Sequence, residues 1–179
     1  ATVSGAYSPA TLRQLPEALG MRHLQVFPLL AGLLLACAPL NPSPSQAVRE
    51  RAVAEAGVRG MPFDLNRSTH TFTDAEWGGE QRVVSDDGDV AQIALIRAHL
   101  AAEARRFAGG DFSSPENIHG HDMAGLAVLR QHSEALSVGY ADTAQGGVIS
   151  YRARDPAIIE AVHAWFAAQR SDHGAHAGH

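Results

Sequence analysis

One pattern occurs twice in this chain and limits what it can fold into: strand, Gly-Gly, strand, aspartate cap, helix. In the first copy, Thr69 to Thr73 is a strand candidate, Gly78-Gly79 a turn signal, and Gln81 to Ser85 a second strand around Val83 and Val84. Asp89 caps a helix from about Val90 to Ala108, with Gln92 as its capping-box partner and Gly109-Gly110 as its stop. In the second copy, Leu136, Val138 and Tyr140 alternate as one strand, Gly146-Gly147 is the turn, and Val148 to Ala153 is the next strand. Asp155 caps a helix with Pro156 at its first position, where the missing N–H would have had no helical partner. That helix runs to about Arg170. Matching points lie 66 to 68 residues apart (Gly78 to Gly146, Asp89 to Asp155). Each strand has an apolar face and each helix an apolar stripe, and both must be covered. The assembly that does so is an α+β two-layer sandwich, ββαββα, with a four-stranded antiparallel sheet and two helices on one face. Ile93, Ile96, Leu100, Val162, Trp165 and Phe166 are then buried between the layers.

This doubled unit occupies residues 61–170, a length that supports one core. Residues 1–20 precede a natural start at Met21 and are set aside as upstream and unstructured. Met21-Arg22-His23 is a short cationic start, and Leu24 to Ala36 follows without a charge. That apolar run is too short to span a bilayer as a helix, which takes about 20 residues. It closes as Leu34-Leu35-Ala36-Cys37, a small residue directly before the single cysteine. Residues 21–36 thus resemble the signal peptide of bacterial lipoproteins. The resemblance implies cleavage before Cys37, lipidation of Cys37, and a chain anchored to a membrane in the cell envelope. Residues 37–60 read as a tether: Ala38 to Ser45 holds three prolines and is semi-extended, and Gln46 to Gly57 is alanine-rich and helix-forming.

Ten histidines make their placement matter. On the first helix His99 lies at the edge of the stripe Ile93, Ile96, Leu100, Phe107, with Glu103 one turn on. On the second helix His163 lies at the boundary of the face that holds Ile158, Val162, Trp165, Phe166 and Gln169. A half-buried, hydrogen-bonded structural role is the simplest account of each, and the aromatic residues of the stripe are more simply core than a cofactor box. Between the halves, Asp111 to Gln131 is irregular and then briefly helical, and it contains His119-Gly120-His121-Asp122-Met123. If that segment is extended, His119, His121 and Met123 face the same way and form a candidate metal site. Imidazole suits copper, zinc and nickel, and thioether sulfur selects Cu(I). A capped helix end carrying one ordered histidine competes with this. The tail, residues 171–179, repeats histidine every third position, and His173 is the member closest to the fold.

Other chemistries lack their motifs. The chain has no Cys-x-x-Cys pair, no Walker or dinucleotide glycine fingerprint and no Gly-x-Ser-x-Gly elbow. Asp86-Asp87-Gly88-Asp89 reads as a turn and a helix cap, because it lacks the spacing and closing glutamate of a calcium loop. A net charge of −5 without a basic stripe argues against nucleic acid as a partner.

Several segments taken together carry a further resemblance: Met61-Pro62-Phe63-Asp64-Leu65, Thr69-His70-Thr71-Phe72, Gly109-Gly110-Asp111-Phe112, Ile118-His119-Gly120, His163-Ala164-Trp165-Phe166 and Asp172-His173-Gly174. Over about Met61 to Gly174 the chain resembles a family of small bacterial proteins often labelled aspartate carbamoyltransferase. Where that family has Met-Pro-Gly-Leu, this chain has Met123-Ala124-Gly125-Leu126. The resemblance adds no chemistry of its own. The function expected from the sequence is therefore an exported lipoprotein that handles a transition metal without catalysis, copper before zinc. His119, His121 and Met123 are its ligands, with His99, His163 and His173 as further candidates and a client protein unspecified. The alternatives are a structural or partner-binding envelope lipoprotein without metal, and a zinc- or haem-dependent enzyme.

Overall fold

The structure, a computed structural model, describes residues 44–173 and the backbone of residues 177–178. The elements run α1 (Pro44–Gly60), β1 (Ser68–Ala75), β2 (Gly78–Ser85), α2 (Val90–Ala108), α3 (Ser113–His119), α4 (Leu126–Gln131), β3 (Ser137–Thr143), β4 (Gly146–Arg152), α5 (Pro156–His173) and a short β5 (Ala177–Gly178). The sheet order is β3-β4-β2-β1-β5. The first four strands pair antiparallel, and β5 adds two residues parallel to β1, opposite His70 and Thr71. The four-stranded antiparallel α+β sandwich expected from the doubled pattern is the fold.

Register places both long helices on one face. Gly79 pairs with Tyr151 and Val83 with Gly147, so Gly79, Val83, Gly147, Ile149 and Tyr151 alternate onto the same side. On that side Leu100 of α2 lies against Gly147, and Phe166 of α5 lies against Gly79. Val83, Ile96, Leu100, Ile149, Tyr151, Val162, Trp165 and Phe166 are all buried between these layers. The caps form as expected: the Asp89 side chain accepts from Gln92 N at 2.8 Å, and the Asp155 side chain accepts from Ala157 N at 2.9 Å.

Three local expectations are corrected. The two Gly-Gly pairs are not the hairpin turns, which are Glu76-Trp77 and Ala144-Gln145; the glycines open β2 and β4. There they permit close pairing at the sheet centre. A Cβ on Gly78 would stand 2.0 Å from the Tyr151 carbonyl oxygen, and one on Gly146 2.0 Å from that of Val83. Gln92, not Ile93, takes the buried position on α2. Its side chain does not close a capping box. It holds Asp64 by both backbone groups, donating to the carbonyl at 2.8 Å and accepting from the N–H at 3.1 Å. The third correction concerns where the linker turns helical. The helix expected over Gln46 to Gly57 forms, but α1 begins at Pro44, inside the stretch read as semi-extended, because proline is tolerated in a first turn. This helix docks on the domain: Gln46 donates to the Ser171 carbonyl at 2.7 Å, and Arg49 pairs with Asp172.

Candidate active site

A cavity of about 330 Å³ opens where α1, α2, α3 and α5 meet the β1 edge of the covered face. β1 contributes His70 and Phe72, α2 His99 and Glu103, α3 His119, and α5 Trp165, Gln169 and His173. The histidine rings form a chain. His119 lies edge-on to His173 at 5.1 Å between centroids, and His173 is 5.3 Å from His70. Phe63 separates His70, at 5.9 Å, from His99, at 5.6 Å.

The chemistry concentrates at His119 and Asp172, whose side chains are each 3% exposed. His119 Nδ1 is 3.0 Å from Asp172 Oδ2. Arg49 grips the same carboxylate with Nε on Oδ1 and with Nη2 on Oδ2 at 2.7 Å, and its Nη2 also donates to the His119 carbonyl at 3.2 Å. Burial alone would push the Asp172 carboxyl up, but the hydrogen bonds from Arg49 and His119 outweigh it and hold the group below its ordinary value. Asp172 is therefore ionised and can only accept, so the proton between the two residues sits on His119 Nδ1. The His119 Nε2 is left with its lone pair. Desolvation lowers the pKa of His119 despite the neighbouring carboxylate, so the ring is neutral at pH 7. A buried, oriented, neutral imidazole with one nitrogen committed to a carboxylate has the chemistry that a general base needs. His99 is lowered as well, chiefly by desolvation, with Glu103 opposing the shift and Arg106 adding to it.

The nominated ligands separate. Gly120, at φ +93°, ends α3 directly after His119 and breaks the extended alternation assumed for this stretch. His121 is consequently turned to solvent, 79% exposed, with Glu116 at 3.5 Å. Met123 is 6% exposed within the hydrophobic core. His119, His121 and Met123 do not converge. His163 has the structural role weighed for it: its Nε2 faces the Ala75 carbonyl at 2.9 Å and the Gly78 carbonyl at 2.8 Å, so that nitrogen carries the proton and ties α5 to the β1–β2 hairpin. We predict that His163→Ala costs about 1–3 kcal/mol in thermal or urea denaturation and leaves the His119 titration unchanged. Of the six nominated residues, His99, His119 and His173 reach the cavity. His70 was missed. Its signal was its place two residues from Phe72, which fixes both on the inward face of β1. Cys37, the signal segment and the tail histidines His176 and His179 lie outside the described residues.

Two proteins named "Putative methyltransferase", from two strains of Mycobacterium tuberculosis, are each 32% identical to this chain over 138 residues. The match covers 75% of the chain, and the chain spans 26% of each relative's length. No family model matches, and neither does any solved structure. The resemblance to the family labelled aspartate carbamoyltransferase is thus corrected, since these relatives carry a different name. The non-catalytic copper-handling lipoprotein is corrected with it: the relatives are named for an enzyme activity, and among the described residues no three His, Cys, Asp or Glu side chains form a group able to hold a metal ion.

Proposed function

We propose that this domain is the proton-transfer part of an enzyme, with His119 as general base and Asp172 as the residue that positions it. The observation that carries the reading is the buried His119–Asp172 pair, gripped by the half-exposed Arg49, with His119 lining the cavity. It fixes the imidazole tautomer, keeps the ring neutral and presents Nε2 as an acceptor. The name of the relatives supplies a reaction class. In methyl transfer from a sulfonium donor, the acceptor heteroatom bonds to the methyl carbon and the donor leaves as a neutral thioether with the electron pair of the broken C–S bond. The acceptor's proton goes to His119 Nε2. The protein's part is to remove that proton as positive charge builds on the acceptor, and to hold the acceptor in a site with little water.

The test is transfer of labelled methyl from a sulfonium donor to a panel of N–H and O–H acceptors by the full chain, His119→Gln and Asp172→Asn. Wild-type rates should rise with pH through the His119 titration, and His119→Gln should lower them roughly 10²–10⁴-fold. An unchanged rate in His119→Gln contradicts the assignment. A chain that transfers no methyl group while His119 remains a neutral base removes the methyl reading and leaves proton transfer standing.

A further inference from the structure

We propose that the cavity beside His119 takes an uncharged, planar ligand with an amide or lactam edge, a C=O next to an N–H. This rests on the cavity being the reaction site and names the class of substrate that enters it. Trp165 and Gln169 are 1% and 4% exposed, and both line the cavity. Yet the Trp165 indole Nε1 and the Gln169 Oε1 have no hydrogen-bond partner among the described residues. Buried polar atoms in native proteins are almost always paired, so two orphans lining one cavity point to a group that completes them.

Their chemistry defines that group. Trp165 and Gln169 are one turn apart on α5 and share a face. The indole N–H can only donate, so it requires an acceptor. The Gln169 amide offers one acceptor and one donor group whichever way it is turned, so the edge facing it must carry both. A carboxylate would satisfy the indole but has no N–H, so Gln169 Oε1 stays unpaired whichever way the amide is turned. It would also meet the Glu103 carboxylate, 7% exposed in the same cavity, whereas the lining cation Arg59 is exposed to solvent. An ammonium group offers the indole no acceptor. An amide edge satisfies both residues and leaves the ligand neutral. Phe72, Phe107 and Trp165 supply flat apolar walls for the rest of a planar molecule. The volume, about 330 Å³, admits one small ring compound with its substituents.

The experiment is titration of the full chain with benzamide, benzoate and benzylamine, followed by the NMR signal of the indole Nε1–H. The chain has two tryptophans. Trp77, whose ring lies 3.7 Å from the Arg152 guanidinium and which does not line the cavity, is the internal control. Benzamide should move the Trp165 signal saturably at millimolar concentration, and benzoate and benzylamine should leave it in place. Gln169→Leu should weaken benzamide roughly tenfold without loss of thermal stability, because it removes an unpaired buried amide. Gln169→Met serves the same purpose if the leucine variant does not fold. Equal responses to benzamide and benzoate, or a benzamide response confined to Trp77, would overturn the proposal. The His119→Gln protein should still bind benzamide, so failure of the base assignment and failure of the ligand assignment give different results.

Discussion

Trp165→Ala is expected to cost about 3–5 kcal/mol of folding stability. The side chain is 1% exposed and stands edge-on to three rings: Phe107 at 5.9 Å, Phe112 at 5.8 Å and Tyr151 at 5.3 Å. Phe107 and Phe112 stack on each other at 5.0 Å, so all four rings form one packed unit. Edge-to-face pairs add to the area buried, and truncation loses both. Trp165 lines the cavity, so the void would join it. Urea denaturation should show a lower midpoint with an unchanged slope. Trp165→Phe keeps the apolar contacts and should cost roughly half as much. A loss below about 1 kcal/mol for the alanine variant would show that the aromatic unit is not the core of this fold.

Arg49→Met should cost roughly 2–3 kcal/mol at neutral pH, less than a fully buried ion pair because Arg49 is half exposed. The substitution keeps the apolar stem and removes the charge. It strands the Asp172 carboxylate, 3% exposed, with a neutral imidazole as its remaining side-chain hydrogen-bond partner. The effect has a sign in pH. The Asp172 carboxyl is held below its ordinary value of 3.8 in the folded protein, so its stabilisation is present above that pH and is lost as pH falls through the folded value. The difference between wild type and Arg49→Met should therefore be largest near neutrality and shrink below about pH 4. His119 and His99 act separately. Both are lowered from 6.5 in the folded state, so their contribution is present above 6.5 and is lost on acidification. A difference that stays constant from pH 3 to pH 7 would mean that Arg49 acts through packing alone.

The parts of the fold legible in the sequence are those with a local signature. Asp89 and Asp155 mark helix starts, and the face Ile158, Val162, Trp165, Phe166, Gln169 is inward as its spacing requires. Gly-Gly marked both hairpins, although the turn is the preceding pair of residues and the glycines serve sheet packing. The site was less legible because its contacts are long in sequence. Asp172 meets His119 across 53 residues and Arg49 across 123. No periodicity relates them. His119-Gly120-His121 invited an extended reading, and the left-handed Gly120 that ends α3 sends the two histidines apart. Met123 looked like a soft ligand because a core methionine and a ligating one have the same local pattern.

The most direct test of a positioned general base is the ¹⁵N NMR titration of His119 in the full chain, assigned by its loss in His119→Gln. The account predicts a neutral ring with the proton on Nδ1 at pH 7, titrating below the ordinary histidine value of 6.5, and a change of tautomer in Asp172→Asn. A proton on Nε2 at pH 7, or a titration at or above 6.5, would contradict it.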